Sequence, residues 1–280
     1  MLKIALMGAG GKMGCRIVDG LKGKSDYQVR AVEISPAGIA RLTERGVTVT
    51  PQAQALADAD IVVLAVPDTL IGKVTHEIVP TLRPGTIVFG LDPAAAYAGV
   101  MPKRSDVTYF VCHPCHPPLF GDETDAKARK DYFGGVARMD LVCALHQGPE
   151  DHYAIGARIA KDMFAPIDNV FRITVEQMAI LEPALVETTN TTLIVAMRET
   201  YNEAVRMGVP EKAARSFFLG HLRTALAIVL GFSDFPMSDG AKYAAEQAKS
   251  LIFKPNWMKN IMNLAGIRKS VAEITRATQK

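Results

Sequence analysis

Short apolar runs alternate with amphipathic stretches through the first part of the chain. "LKIALM" (2–7), "QVRAVEI" (28–34), "DIVVLAV" (60–66), "TIVFGL" (86–91), "VTYFVC" (107–112) and "MDLVCAL" (139–145) are rich in β-branched or aromatic residues and too short for core helices. Helical patterning separates them, beginning with Lys12 to Leu21. Such alternation predicts a doubly wound, largely parallel sheet. A last run, "VFRIT" (170–174), precedes a change of style. From about Val175 onward the pattern is helical, with Gly or Pro at breaks such as "MGVPEK" and "GFSDFP". The expected architecture is α/β, with a sheet domain over 1–174 and an all-helical domain over 175–280.

Composition narrows the function classes. In 280 residues, 49% are hydrophobic and 22% charged, enough apolar material for one large core or two modest ones. A net charge of +3 without a basic cluster, one Trp and seven Tyr give no electrostatic footprint for nucleic acid, so small molecules are the expected partners. The start, "MLKIALMGAGGKMG", has glycines where a secretory signal needs an apolar core, and no run reaches membrane-spanning length; a cytoplasmic location is expected. Cys15, Cys112, Cys115 and Cys143 are expected as reduced thiols.

The first motif with chemistry is "GAGGKMG": Gly8, Ala9, Gly10, Gly11, Lys12, Met13 and Gly14 between a buried strand and a helix. Glycines there let backbone amides at the helix start approach a pyrophosphate, the arrangement of a Rossmann dinucleotide site. The spacing reads as G-x-x-G-x-M-G through Gly8, Gly11 and Gly14. Glu33 lies about twenty residues on, where a carboxylate bonds ribose hydroxyls and opposes a 2′-phosphate, which favours NAD over NADP. Arg41 and Arg45 nearby are the features that would suit NADP. Pro67 and Asp68 follow the strand "DIVVLAV", bordering the cofactor crevice; Asp68 is either a nicotinamide-ribose neighbour or a helix cap.

"FVCHPCHPPLF" (110–120) is the second. His113 leaves a strand at the carboxyl edge, where ligands of open α/β sheets bind, and Pro114, Pro117 and Pro118 restrict the directions of His113 and His116. A redox pair of Cys112 and Cys115 would need a low-pKa thiol at a helix start, which this loop lacks. Four ligands for a structural zinc lie too close together on so stiff a loop, although one or two could still ligate. Cys112 is expected as the buried end of its strand.

With "GAGGKMG", "AVPD", "LDPAAAYAG", "HPCHPP" and "ILEPALVETTNTTLIVAMRET" assembled, nearly the whole chain resembles the D-apionate oxidoisomerase family, related to 6-phosphogluconate dehydrogenase and ketol-acid reductoisomerase folds. The resemblance implies an NAD-dependent oxidoisomerase converting the branched sugar acid D-apionate to 3-oxo-isoapionate by rearrangement and hydride transfer. It departs from 6-phosphogluconate-type enzymes at Val186, where those carry a Lys four residues before an Asn, here Asn190. The helix instead offers Glu182, Glu187, Asn190, Thr191 and Glu199. Because a carbon shift needs a polarised carbonyl and alkoxide, the implied chemistry suggests a divalent metal, Zn²⁺, Mn²⁺ or Mg²⁺, with His113 and Glu182 as ligands and His116, Glu187 and Asn190 beside His113 as catalytic residues.

Two other classes compete: a plain hydroxy-acid or prephenate-like dehydrogenase, and a non-catalytic dinucleotide sensor. A sensor needs neither a rigid strand-end histidine nor carboxylates in the facing helix. A helix from about Val175 to Met207 would reach ~50 Å at 1.5 Å per residue, longer than a small domain needs, and by analogy of fold points to a homodimer.

Overall fold

β1 (Leu2–Met7) and α1 (Lys12–Leu21) open a series of βα units: β2 (Tyr27–Val32), α2 (Pro36–Glu44), α3 (Gln52–Leu56), β3 (Ile61–Leu64), α4 (Asp68–Ile78), β4 (Ile87–Gly90) and α5 (Ala94–Tyr97). β5 (Thr108–Pro114), β6 (Met139–Gln147), α6 (Asp151–Phe164), β7 (Ile167–Arg172) and α7 (Val175–Ala179) follow. The seven strands form one sheet in the order β2-β1-β3-β4-β5-β6-β7. The structure, a computed structural model, describes residues 1–276.

The continuous apolar runs are explained by helices covering both faces of the sheet. Ile61 and Val63 of β3 join Ile4, Leu6, Phe89 and Phe110 in a core that includes Ile17 of α1 and Ile159 of α6. Val62 and Leu64 turn to the other face and pack with Ala5, Val88, and Ile71 and Ile78 of α4. All strand pairs are parallel except β5 with β6, which is antiparallel. No crossover helix of ordinary length links those two, only a loop with a 3₁₀ turn at Ala128–Lys130, so the chain returns beside β5 in the opposite sense. β5 also runs beyond Cys112, its expected end, because β6 pairs Val142 with His113 and Leu141 with Pro114.

The expected long helix is present in three consecutive parts: α7, a π-helical segment Ile180–Thr191, and α8 (Thr192–Arg206). Pro183 within that segment has no N–H to donate, and the wider winding shows in hydroxyls that reach five residues back: Thr188 to the Pro183 carbonyl, Thr189 to Ala184 and Thr191 to Val186. α9 (Glu211–Val229), α10 (Asp239–Ile252), α11 (Trp257–Ile261) and α12 (Leu264–Ile274) follow among the described residues. Two units separate at Leu181/Glu182. This lies beyond the 174/175 division expected above because Val175 and Met178 of α7 bury themselves against Ala96, Val111, Val142 and Ala144. Residues 268–276 also belong with the sheet unit, where Arg268 pairs with Glu176 at 3.5 Å. Among the described residues no helix is long and apolar enough to cross a membrane.

Candidate active site

Between β1 and α1 the chain packs too tightly for side chains. Gly8 has φ +73°, and a Cβ there would lie 2.5 Å from the Ala65 carbonyl oxygen; at Gly14 a Cβ would lie 2.3 Å from the Gly8 carbonyl oxygen. The turn therefore brings the first amides of α1 against the end of β1. A cleft of about 370 Å³ opens there, lined by Gly8, Gly11, Glu33, Ser35, Arg41 and Pro67 among others. Ala9, Gly10 and Gly14 are buried beneath the turn, while Lys12 is exposed and Met13 half-buried at the start of α1. This bare backbone cradle with an acidic strand end suits the pyrophosphate and ribose of a dinucleotide.

Glu33 also holds the turn together. Its carboxylate accepts from the amides of Gly10 (2.9 Å), Ile34 (2.8 Å) and Ser35 (2.9 Å). Burial alone would raise its pKa, but hydrogen bonds from Ser35, Ile34 and Gly10 outweigh it and keep the carboxyl below its ordinary value. Glu33→Ala is expected to cut the ratio of kcat/KM for NAD⁺ over NADP⁺ by about tenfold, the worth of one charge-assisted hydrogen bond. An unchanged ratio in steady-state kinetics would remove Glu33 from cofactor selection. Asp68 falls in the first turn of α4, whose N-cap is Pro67.

The histidine loop lies at the carboxyl ends of β4 and β5. His113 is half-buried, and its Nδ1 sits 2.8 Å from the Leu91 carbonyl oxygen. A carbonyl can only accept, so Nδ1 carries the proton and Nε2 is the basic nitrogen. Asp92, directly after Leu91, presents a carboxylate oxygen within 4.8 Å of a His113 ring nitrogen. It also accepts from the Ala94 amide at 2.7 Å. Asp92 is absent from the residues singled out by sequence, although it stands in "LDPAAAYAG"; its place just past a strand end was the available signal.

His116 adopts φ +61°, the left-handed region uncommon for a side-chain-bearing residue. It donates from Nδ1 to the Phe133 carbonyl at 2.9 Å, packs on the Phe133 ring at 5.2 Å, and stands edge-on to His113 at 6.3 Å. Asp131 fixes Phe133 by accepting the amides of Phe133, Gly134, Val136 and Ala137. The two histidines are thus held together, each oriented through Nδ1 by a backbone carbonyl.

The thiols divide sharply. Cys112 and Cys143 face each other across β5 and β6; burial pushes the Cys112 pKa well up and that of Cys143 to about 12. Neither has the thiolate character of a nucleophile. Cys115 is exposed, and none of the four cysteines forms a disulfide. Alkylation of the native protein at pH ~8 is expected to label Cys115 and spare Cys112 and Cys143, and Cys115→Ser to keep most activity; mass spectrometry and initial rates check both.

Of the remaining sequence-predicted residues, Glu182 is the first residue of the second unit, one position past the end of the unit that holds His113. It is half-buried. Glu187 and Asn190 lie farther along the same π-helical segment, both on exposed positions.

A sheet of this topology with a glycine cradle at its first crossover defines a Rossmann-type oxidoreductase with a helical second unit. Residues 3–90 match the family described as NADP oxidoreductase coenzyme F420-dependent, and residues 121–275 the C-terminal domain of phosphogluconate dehydrogenase (decarboxylating). A D-apionate oxidoisomerase from Rhizobium rhizogenes is 50% identical, the match covering 98% of this chain and 100% of that protein. One from Cupriavidus necator is 48% identical over 98% and 99%. The chain belongs to the D-apionate oxidoisomerase family. A solved structure of a semialdehyde dehydrogenase NAD-binding protein from Cupriavidus necator, in complex with calcium and NAD, superposes with TM-score 0.95 at 48% identity, covering 98% of this chain and 100% of that one.

Proposed function

We propose that this enzyme oxidises D-apionate with NAD⁺ and rearranges its carbon skeleton to 3-oxo-isoapionate. The observation that carries the proposal is the pairing of a dinucleotide cradle with the Asp92–His113 pair at the carboxyl ends of adjacent strands β4 and β5. The family membership agrees with it. Glu33 and the amides of the turn would hold the cofactor. Asp92 and His113 offer carboxylate and imidazole donors of the kind that bind Zn²⁺, Mn²⁺ or Mg²⁺. The His113 proton on Nδ1 is bonded to Leu91, the arrangement that orients metal-ligating histidines. When bound, the dinucleotide accepts a hydride and the cation acts as a Lewis acid on the substrate oxygens.

His116 stands beside His113 as the proton carrier, with its own Nδ1–H held by Phe133. Glu187 and Asn190 are proposed to bond substrate hydroxyls. The reading expects exhaustive chelation to abolish NADH formation and Mn²⁺ or Zn²⁺ to restore it. Asp92→Asn should need more added metal for half-maximal rate. Full turnover in chelated protein would assign His113 to direct acid–base work instead.

A homodimer is proposed on a separate observation. Among the described residues of the second unit only Pro183, Ala184, Tyr201, Ala214 and Ile267 are buried, while Phe217 is 69% and Leu251 86% exposed. Tyr201, Phe217, Phe218 and Leu222 line an apolar cleft of about 670 Å³ in that unit. A unit with so little core of its own needs another surface to cover it, and a second copy supplies the same apolar faces. Sedimentation equilibrium is expected to return twice the chain mass at every concentration at which the protein is folded; a folded monomer would contradict this.

A further inference from the structure

A second cleft, of about 670 Å³, shares no lining residue with the cofactor cleft. One wall is a face of α1: Lys12, Cys15, Arg16, Asp19 and Gly20, spaced three and four apart. Phe133 to Val136, Arg45, Ala165 and Pro166 complete it.

Arg16 is the unusual member. It is only 9% exposed, yet among the described residues no carboxylate pairs with it. One guanidinium nitrogen donates to the Phe133 carbonyl at 2.8 Å and another reaches the Met139 sulfur at 3.1 Å, a weak acceptor. Its Nε is buried with no hydrogen-bond partner. The Phe133 and Phe164 rings lie 5.0 and 5.2 Å from the guanidinium carbon. Asp131 acts on it through space without a hydrogen bond, its oxygens being taken by loop amides. A buried cation without a counter-ion is costly, and protein interiors ordinarily pair it.

The cleft around it is also cationic. Lys12, Arg16 and Arg45 face a single carboxylate, Asp19, which lies 3.3 Å from Arg45. Gly134 sits directly on the guanidinium, where a Cβ would fall 2.3 Å from an Arg16 terminal nitrogen. The excess of two positive charges matches a phosphate dianion, and guanidinium forks bond phosphate oxygens two at a time.

We propose that this cleft is a phosphate-binding site, taking inorganic phosphate or the phosphate group of a small phosphomonoester, distinct from the cofactor site. Arg16 forms its fixed charge and Arg45 and Lys12 its adjustable arms. The test is calorimetric titration of the full-length protein saturated with NAD⁺, so that the pyrophosphate cradle is filled, with ionic strength held constant by NaCl. Inorganic phosphate and glycerol phosphate are titrated in parallel. One saturable site per chain is expected; tighter binding of the ester identifies a phosphorylated metabolite as the occupant, and equal or weaker binding identifies free phosphate.

Arg45→Gln, a substitution at a half-buried surface position, should weaken binding by about tenfold. Arg16→Lys keeps the charge and loses the fork, and should do the same, with circular dichroism confirming the fold. Heats no larger than those of matched NaCl, or an affinity unchanged in Arg45→Gln, would overturn the proposal.

Discussion

His113→Ala is expected to lower turnover by about 10²–10⁴-fold, the range of a lost acid, base or ligand at a reacting centre, while NAD binding persists. The ring stands at the end of β5 with one nitrogen committed to the Leu91 carbonyl, and alanine removes the other from the cleft edge. The elements that make the cofactor cleft, the turn after β1 and Glu33, do not depend on it. Cys115→Ser, two residues away on the same loop, is the matched control and should retain most activity. Fluorescence titration with NADH together with initial rates separates the two effects; loss of NADH affinity in His113→Ala would mean that the histidine shapes the cofactor cleft rather than the chemistry.

Gly14→Val should be the most damaging substitution of the cradle. Its Cβ would have to occupy space 2.3 Å from the Gly8 carbonyl oxygen and 2.6 Å from Ala9 backbone atoms, none of which is a flexible side-chain end. The helix α1 must then move off β1, which overpacking data put at about 1–3 kcal/mol of stability. The amides that face the cleft would move with it. Thermal unfolding should show a lowered midpoint and NADH titration at least about a tenfold loss of affinity, since ~1.4 kcal/mol corresponds to a tenfold change.

What was legible in the sequence was what is local. Runs of four to nine residues with β-branched content marked the strands, and the placement of "GAGGKMG" between one such run and a helical stretch located the cradle. His113 could be assigned to a strand end for the same reason. The reversal at β6 was less visible because parallel and antiparallel strands buried on both faces share one pattern; the signal was the absence of a helical stretch between positions 115 and 138.

The π-helical segment was hidden because Thr188, Thr189 and Thr191 reach carbonyls five residues back, a spacing that apolar periodicity does not report. Asp92 escaped because an aspartate between a strand and the short helix Ala94–Tyr97 reads equally as a turn residue, and only its approach to His113 singles it out. The contact of Arg16 with Phe133 joins positions 117 apart in sequence, and no local pattern encodes it. Residues whose role is set by the path of their own strand or turn were readable; those set by a distant partner were not.

The central claim, that oxidation here is coupled to skeletal rearrangement, is tested most directly by the product. D-apionate carrying ¹³C at C2 and at both hydroxymethyl carbons, incubated with the metal-supplemented enzyme and NAD⁺, should yield one NADH per acid consumed and a product with a new one-bond ¹³C–¹³C coupling between C2 and a hydroxymethyl carbon, as a shift of that group from C3 to C2 in 3-oxo-isoapionate requires. NADH formed with every original carbon–carbon bond intact would make the protein a plain hydroxy-acid dehydrogenase and contradict the account.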